Sequence, residues 1–198
     1  MKKLIFLIIF LVIVAAAGYW QYQKYLENPE RKINRIVNNV SLRVTEALLY
    51  EIEDSIEKSK ISYKDLFEKL EIHYAQINSD ISEVQKIVPA KNISREKINR
   101  VMKYLQISQQ LLTAEYEKYK QNMEYTDLLK TVRIQATGVG VSGDIYGKKV
   151  EYEKAKTELV KAVIKLSEAH SMAAEVISKD NLVERQIIDK AIGKFSKK

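Results

Sequence analysis

Two histidines, a glycine-rich string and a few tyrosines are the residues from which chemistry could be built in this chain. His73 and His170 are its only histidines. A di-iron site inside a helical bundle uses Glu-x-x-His, which stacks both ligands on one helix face one turn apart. Position 70 is Leu and position 167 is Ser, so neither histidine has that partner, and each sits beside the apolar stripe of its helix rather than on it. The spacing favours solvated or hydrogen-bonded histidines over metal ligands. Gly138-x-Gly140-x-x-Gly143 matches the dinucleotide-binding fingerprint as a string. That fingerprint holds a pyrophosphate only between a strand and a helix of a parallel sheet, with an acidic residue about twenty positions further on. Val132, Ile134 and Ala136 alternate weakly ahead of it, but no second strand pattern follows, so no cofactor is expected. There is no cysteine, which removes disulfides, lipid-modified cysteine, thiolate metal sites, c-type haem attachment and cysteine catalysis. No Ser/His/Asp signature, nucleophile elbow or phosphate loop is visible. The sequence reads as a protein that is not an enzyme, with no catalytic, cofactor or metal residues assigned.

The elements that would position these residues are almost all helical. Asn28-Pro29-Glu30 is a helix start, with Asn as cap, Pro at the first helical position and Glu beside the positive end of the dipole. Ile33, Val37, Val40, Val44, Ala47, Leu48, Ile52 and Ile56 then follow a helical stripe to about Ser59. Ser62 and Asp65 form a variant of the capping box, with Ile61 placed to staple onto Leu66. The second helix carries Tyr63, Phe67, Leu70, Tyr74, Ile77, Ile81, Val84 and Val88 at the alternating spacing of helices packed nearly antiparallel, and Pro89 stops it. Ser94 caps a third helix, with Ile93 and Ile98 set for a second staple and a seam through Met102, Leu105, Gln109, Leu112, Tyr116, Tyr119, Met123 and Thr126. Asn92-Ile93-Ser94 also reads as a glycosylation acceptor, but the cap explains it better. Four glycines between 138 and 147 interrupt the pattern, so the fourth helix is expected from about Lys148, along Tyr152, Ala155, Leu159, Ala162, Leu166, Ala169, Ala173 and Val176. A short fifth segment after Asp180 places Leu182, Val183, Ile187, Ala191, Ile192 and Phe195 on one face.

The fold class is therefore all-α: an N-terminal transmembrane or signal helix, an up-down-up-down four-helix bundle or antiparallel coiled coil, and a short C-terminal amphipathic helix. Three regions follow: 1–27 as membrane anchor or signal segment with a juxtamembrane stretch, 28–179 as the extracytoplasmic bundle, and 180–198 as the basic amphipathic C-terminal helix. Lys2 and Lys3 precede an apolar run from Leu4 to Val14 and then Ala15-Ala16-Ala17-Gly18-Tyr19-Trp20. A positive start, the apolar run and an Ala-x-Ala site make a cleavable signal peptide. Leu4 to Trp20, roughly 26 Å as helix, is equally long enough to span a bilayer with snorkelling ends. Tyr19, Trp20, Tyr22 and Tyr25 favour the retained anchor, because aromatic rings gather where a membrane helix emerges at the headgroups. In both cases the two lysines stay cytoplasmic and the remainder is exported. Without those lysines the formal charge falls from +7 to +5, a mild excess with interleaved signs that argues solubility rather than nucleic-acid binding.

An anchored N-terminus orients the bundle. The glycine loop falls at the membrane-distal tip, where its low charge and Val139, Val141, Ile145 and Tyr146 make either a partner contact or a plain connector. The last helix falls close to the bilayer, where Arg185, Lys190, Lys194, Lys197 and Lys198 face anionic headgroups or simply stay solvated while the apolar face closes the bundle base. Gln109, Tyr116 and Tyr119 put polar atoms on an apolar seam, and either line a small-molecule pocket between helices or pack by their rings. The expected function is a non-catalytic protein-interaction or scaffold component of the cell envelope; the alternative is a small-ligand-binding sensor-type bundle working through a partner. The expected partners are the membrane, through a single N-terminal span, and another envelope protein; nucleic acid is not expected, and a homo-oligomer is compatible with the sequence.

Overall fold

The computed structural model describes residues 11–21, 28–53, 62–89, 93–134 and 142–196. Residues 11–21 are helical (α1), and the helices that follow are α2 (Pro29–Glu53), α3 (Tyr63–Gln85), α4 (Arg95–Ile134), α5 (Ser142–Ala173) and α6 (Arg185–Ser196), with a 3-10 turn at Lys179–Asn181 before the last. The all-α class holds, and the helices share one apolar core. Among the described residues no helix is long and apolar enough to cross a membrane. The first part of the expected span, residues 4–10, lies outside the described residues, as do Ile56 and Ile61.

The capping residues act as their chemistry requires. The Asn28 side-chain oxygen accepts from the Glu30 amide at 3.0 Å. Ser62 Oγ accepts from the Asp65 amide at 3.1 Å and donates back to the Asp65 carboxylate at 2.7 Å, so cap and acid satisfy one another. Ser94 Oγ accepts from the Lys97 amide at 3.1 Å, with Ile93 and Ile98 buried on either side of the cap. Each such cap is worth roughly 1 kcal/mol against alanine.

Side-chain pairs fix the directions. Glu30–Lys97, Ser41–Tyr104 and Glu51–Lys118 climb together, so α2 and α4 run parallel. Lys32–Glu83, Arg43–Asp80 and Glu46–Lys69 descend on α3 as they climb α2. Asn122–Tyr63 and Gln109–Asn78 set α3 antiparallel to α4, while Lys148–Glu124 and Arg100–Glu175 do the same for α5. α4 is 40 residues long, about 60 Å, and α2 is 25 residues, about 37 Å. Tyr63, which opens α3, pairs at the level of Asn122. Beyond that level α4 and the first turns of α5 continue as a two-helix hairpin past the described ends of α2 and α3.

Two expectations change. α5 starts at Ser142 rather than near Lys148, so Gly143 and Gly147 are helical. Each glycine inside a helix costs about 1 kcal/mol against alanine. Packing of α5 along α4, with Lys148 bridging Glu124 and Glu151 at 2.7 and 2.8 Å, offsets that cost. The second change concerns α6. Tyr104, fully buried on α4, sits 2.8 Å from Ser41 Oγ and accepts from the Val183 amide at 3.4 Å, which pins the chain ahead of α6 at mid-height. Lys194 then donates to the Glu51 carbonyl near the C-terminal end of α2. α6 therefore climbs between α2 and α5, burying Ile188 and Ala191, instead of hanging near the start of α2. Its apolar stripe finds a partner on the flank of the bundle, between α2 and α5, rather than across the base.

Candidate functional site

Two places in the bundle hold polar chemistry, both on α4. The first is internal. Because α4 packs against α2, α3 and α5 at once, its inward stripe is wide: Val101, Tyr104, Leu105, Ser108, Leu111, Leu112, Glu115 and Tyr119 are all buried. Glu51 of α2, 4 % exposed, faces this stripe and receives Lys118 Nζ on both carboxylate oxygens at 2.5 and 2.6 Å. The same ammonium lies 4.6 Å from the Tyr119 ring centre. Beside them Glu115 has no exposed surface, and neither carboxylate oxygen has a hydrogen-bond partner. Burial, reinforced by the Glu51 charge, pushes its carboxyl well above the usual carboxylate range, and Lys118 only partly opposes this. Burial likewise raises the Tyr119 phenol. The surroundings favour the protonated Glu115 carboxyl, but a group with no exposed atom cannot meet a substrate.

A half-exposed branch adjoins it. Tyr50 O–H donates to Glu46, Lys69 Nζ donates to both at 2.9 and 3.0 Å, and His73 Nε2 stands 3.5 Å from Glu46. His73 is buried, its Nδ1 has no partner, and burial lowers its pKa against the pull of Glu46. His170 is buried too, and burial lowers its pKa while a backbone hydrogen bond with Val183 opposes the shift. Solvation, one of the two readings of these histidines, therefore fails for both. They lie on inner faces because the helices turn a wider apolar arc inward than the seam alone suggests. Among the described residues no group of three or more His, Asp or Glu side chains is placed to hold a metal ion.

The second place is a groove between α3 and α4 of about 370 Å³, lined by Leu70, Glu71, Tyr74, Leu112, Thr113, Tyr116 and Glu117. Leu70 and Leu112 form its floor, each 1 % exposed, and Tyr74 stands at its mouth. Tyr116 is held by an edge-on contact with Phe67, ring centres 5.2 Å apart. A smaller groove of about 270 Å³ lies across α4 against α5, and Glu117 lines both.

The residues singled out from sequence are not brought together. Tyr19 and Trp20 are exposed on α1, and Tyr22 and Tyr25 lie outside the described residues. Ile145 is half-buried and Tyr146 is 72 % exposed in the first turns of α5, while Val139 and Val141 lie outside the described residues. Arg185 binds Asp189 and the Ser167 carbonyl at 3.0 and 3.1 Å; Lys190 is exposed, Lys194 reaches Glu51, and Lys197 and Lys198 lie outside the described residues. Of the seam trio, Tyr119 is buried, Tyr116 lines the groove and Gln109 donates to Asn78. Glu115 was not legible as an inward residue, since a glutamate next to Tyr116 reads as solvated; its four-residue steps from Leu111 and to Tyr119 were the available signal.

No family model, no curated protein and no solved structure matches this chain. The class defined by the fold is a helical bundle with a central long helix, and function must be argued from its surfaces.

Proposed function

We propose that the chain is a membrane-anchored, extracytoplasmic helical protein acting as a non-catalytic protein-interaction or scaffold component of the cell envelope. The apolar run from Leu4 and the aromatic residues after it support the anchor. With that anchor, α2 leads away from the bilayer, and the end of α4 and start of α5 stand furthest from it. The observation that carries the interaction reading is this hairpin, on which Tyr146 is 72 % and Val150 49 % exposed. In this reading the two side chains, one helical turn apart, are the apolar centre of the surface that a partner buries. A photoreactive amino acid at Tyr146, in intact cells, is expected to crosslink to a discrete envelope protein, and Val150→Asp is expected to abolish that product. Equal yield of the same product after that substitution would sink the hairpin as contact surface.

A second reading, a small-ligand-binding bundle that works through a partner, is favoured by the α3–α4 groove. Its volume falls within the range of small-molecule sites, and it joins an apolar floor to a few polar groups.

A further inference from the structure

The α3–α4 groove combines three features that together select a ligand. Its floor is apolar, made by Leu70 and Leu112. Two tyrosines, Tyr74 and Tyr116, line it, and the negative quadrupole of an aromatic ring attracts cations. Two carboxylates, Glu71 and Glu117, complete it, and no lysine or arginine is among its lining residues. That local sign is opposite to the chain's formal charge of +7. Glu117 is occupied in part, accepting from Gln121 at 2.7 Å. Glu71 and the Tyr74 hydroxyl make no hydrogen bond or ion pair with other described residues, and both side chains are exposed. An anion would meet two like charges, and a neutral apolar molecule would leave the carboxylates idle.

We infer that this groove binds a small organic ammonium ion, with its hydrocarbon body on Leu70 and Leu112 and its charged head between Glu71 and the tyrosine rings. The inference rests on the second functional reading, that of a ligand-binding bundle, and does not depend on the hairpin contact. Aryl or branched alkyl bodies of modest size suit a groove of about 370 Å³.

The test uses the full-length chain in a non-ionic detergent and three probes of nearly equal shape: 2-phenylethylammonium, neutral 2-phenylethanol and anionic phenylacetate. Calorimetric titration is expected to show saturable binding of the ammonium ion, about tenfold or more tighter than either other probe. Glu71→Gln and Tyr74→Ala, at exposed positions without partners, are expected to keep the thermal midpoint of the unliganded protein and weaken ammonium binding about fivefold each, the scale of one exposed cation–π or charge contact. No saturable ammonium binding, or an unchanged affinity in both variants, would overturn the inference. Equal affinity for the alcohol, lost in Tyr74→Ala, would overturn the charge selection while leaving the groove standing as a ligand site.

Discussion

Two of the three seams of α4, those against α5 and α2, are built on different physics. Against α5 the seam is small and apolar: Ala155, Leu159, Ala162, Val163, Leu166, Ala169 and Ala173 are buried, and the alanines let the helices approach closely. Against α2 it mixes Ile33, Val37, Val40, Val44 and Leu48 with Ser41, Glu51, Ser108, Glu115 and Tyr104. The first seam gains from each apolar side chain removed from water, roughly 1.5 to 3 kcal/mol for a leucine or isoleucine, and would tolerate small slips. The second carries polar pairs at three heights, Glu30–Lys97, Ser41–Tyr104 and Glu51–Lys118, and a slip by one turn would break all three. Buried ion pairs contribute little net stability, but one left half-made is costly, so they specify register. The contrast explains how α6 is placed as well, since Tyr104 and Glu51, both on the polar seam, are the groups that hold its two ends.

The largest effect is expected where that polar seam is half-broken. Lys118→Met leaves Glu51 buried without its cation and is expected to cost about 3 to 5 kcal/mol in chemical denaturation. Adding Glu51→Leu is expected to recover most of that loss, because the uncompensated charge leaves with it. Full destabilisation in the double variant would show that the pair supplies net stability rather than register.

On the apolar seam Leu159→Ala, at a position with no exposed surface, is expected to cost about 3 kcal/mol by lost burial and cavity formation. A loss below about 1 kcal/mol would mean that α5 collapses onto the gap, making this seam more adaptable than its partner.

Glu115 gives the polar seam a pH signature that the apolar one lacks. Its carboxyl titrates well above the ordinary value of 4.5 in the folded state. Between those two values the folded chain holds a proton that the unfolded chain has released. The associated stability is complete below the unfolded value and is lost as pH rises through the folded one. Glu115→Gln removes that dependence. The stability of the variant relative to the parent is expected to rise with pH above 4.5, by at most about 1.4 kcal/mol per unit, until the folded carboxyl has titrated. A difference flat between pH 5 and 9, followed by denaturation midpoints, would place an ionised carboxylate there instead.

How much of this was legible in the sequence follows the same division. Apolar spacing places Ala155, Leu159, Leu166 and Ala173 inward, and local hydrogen-bond chemistry marks the caps at Asn28, Ser62 and Ser94. Both signals are local. Glu115 and His73 are inward because three or four helices meet around them, which no single helical period encodes. The path of α6 is likewise set by where a groove remains after the other helices have packed. Gly143 and Gly147 read as a loop because glycine disfavours helix, and the tertiary contacts of α5 outweighed that preference.

The smallest effect sharpens that last point. Gly147 lies inside α5 with open space where a side chain would begin, so Gly147→Ala is expected to raise stability by about 0.5 to 1 kcal/mol. Destabilisation would place a non-helical backbone at this position.

The proposal of an anchored bundle with an outward hairpin is tested most directly by topology in living cells. The chain has no cysteine, so Tyr146→Cys introduces one thiol at an exposed position of the hairpin. The full chain is expected to stay with membranes through alkaline carbonate washing, and a membrane-impermeant maleimide is expected to label the new thiol without lysis of the cytoplasmic membrane. Release of the chain by carbonate, or labelling only after that membrane is broken, would contradict it.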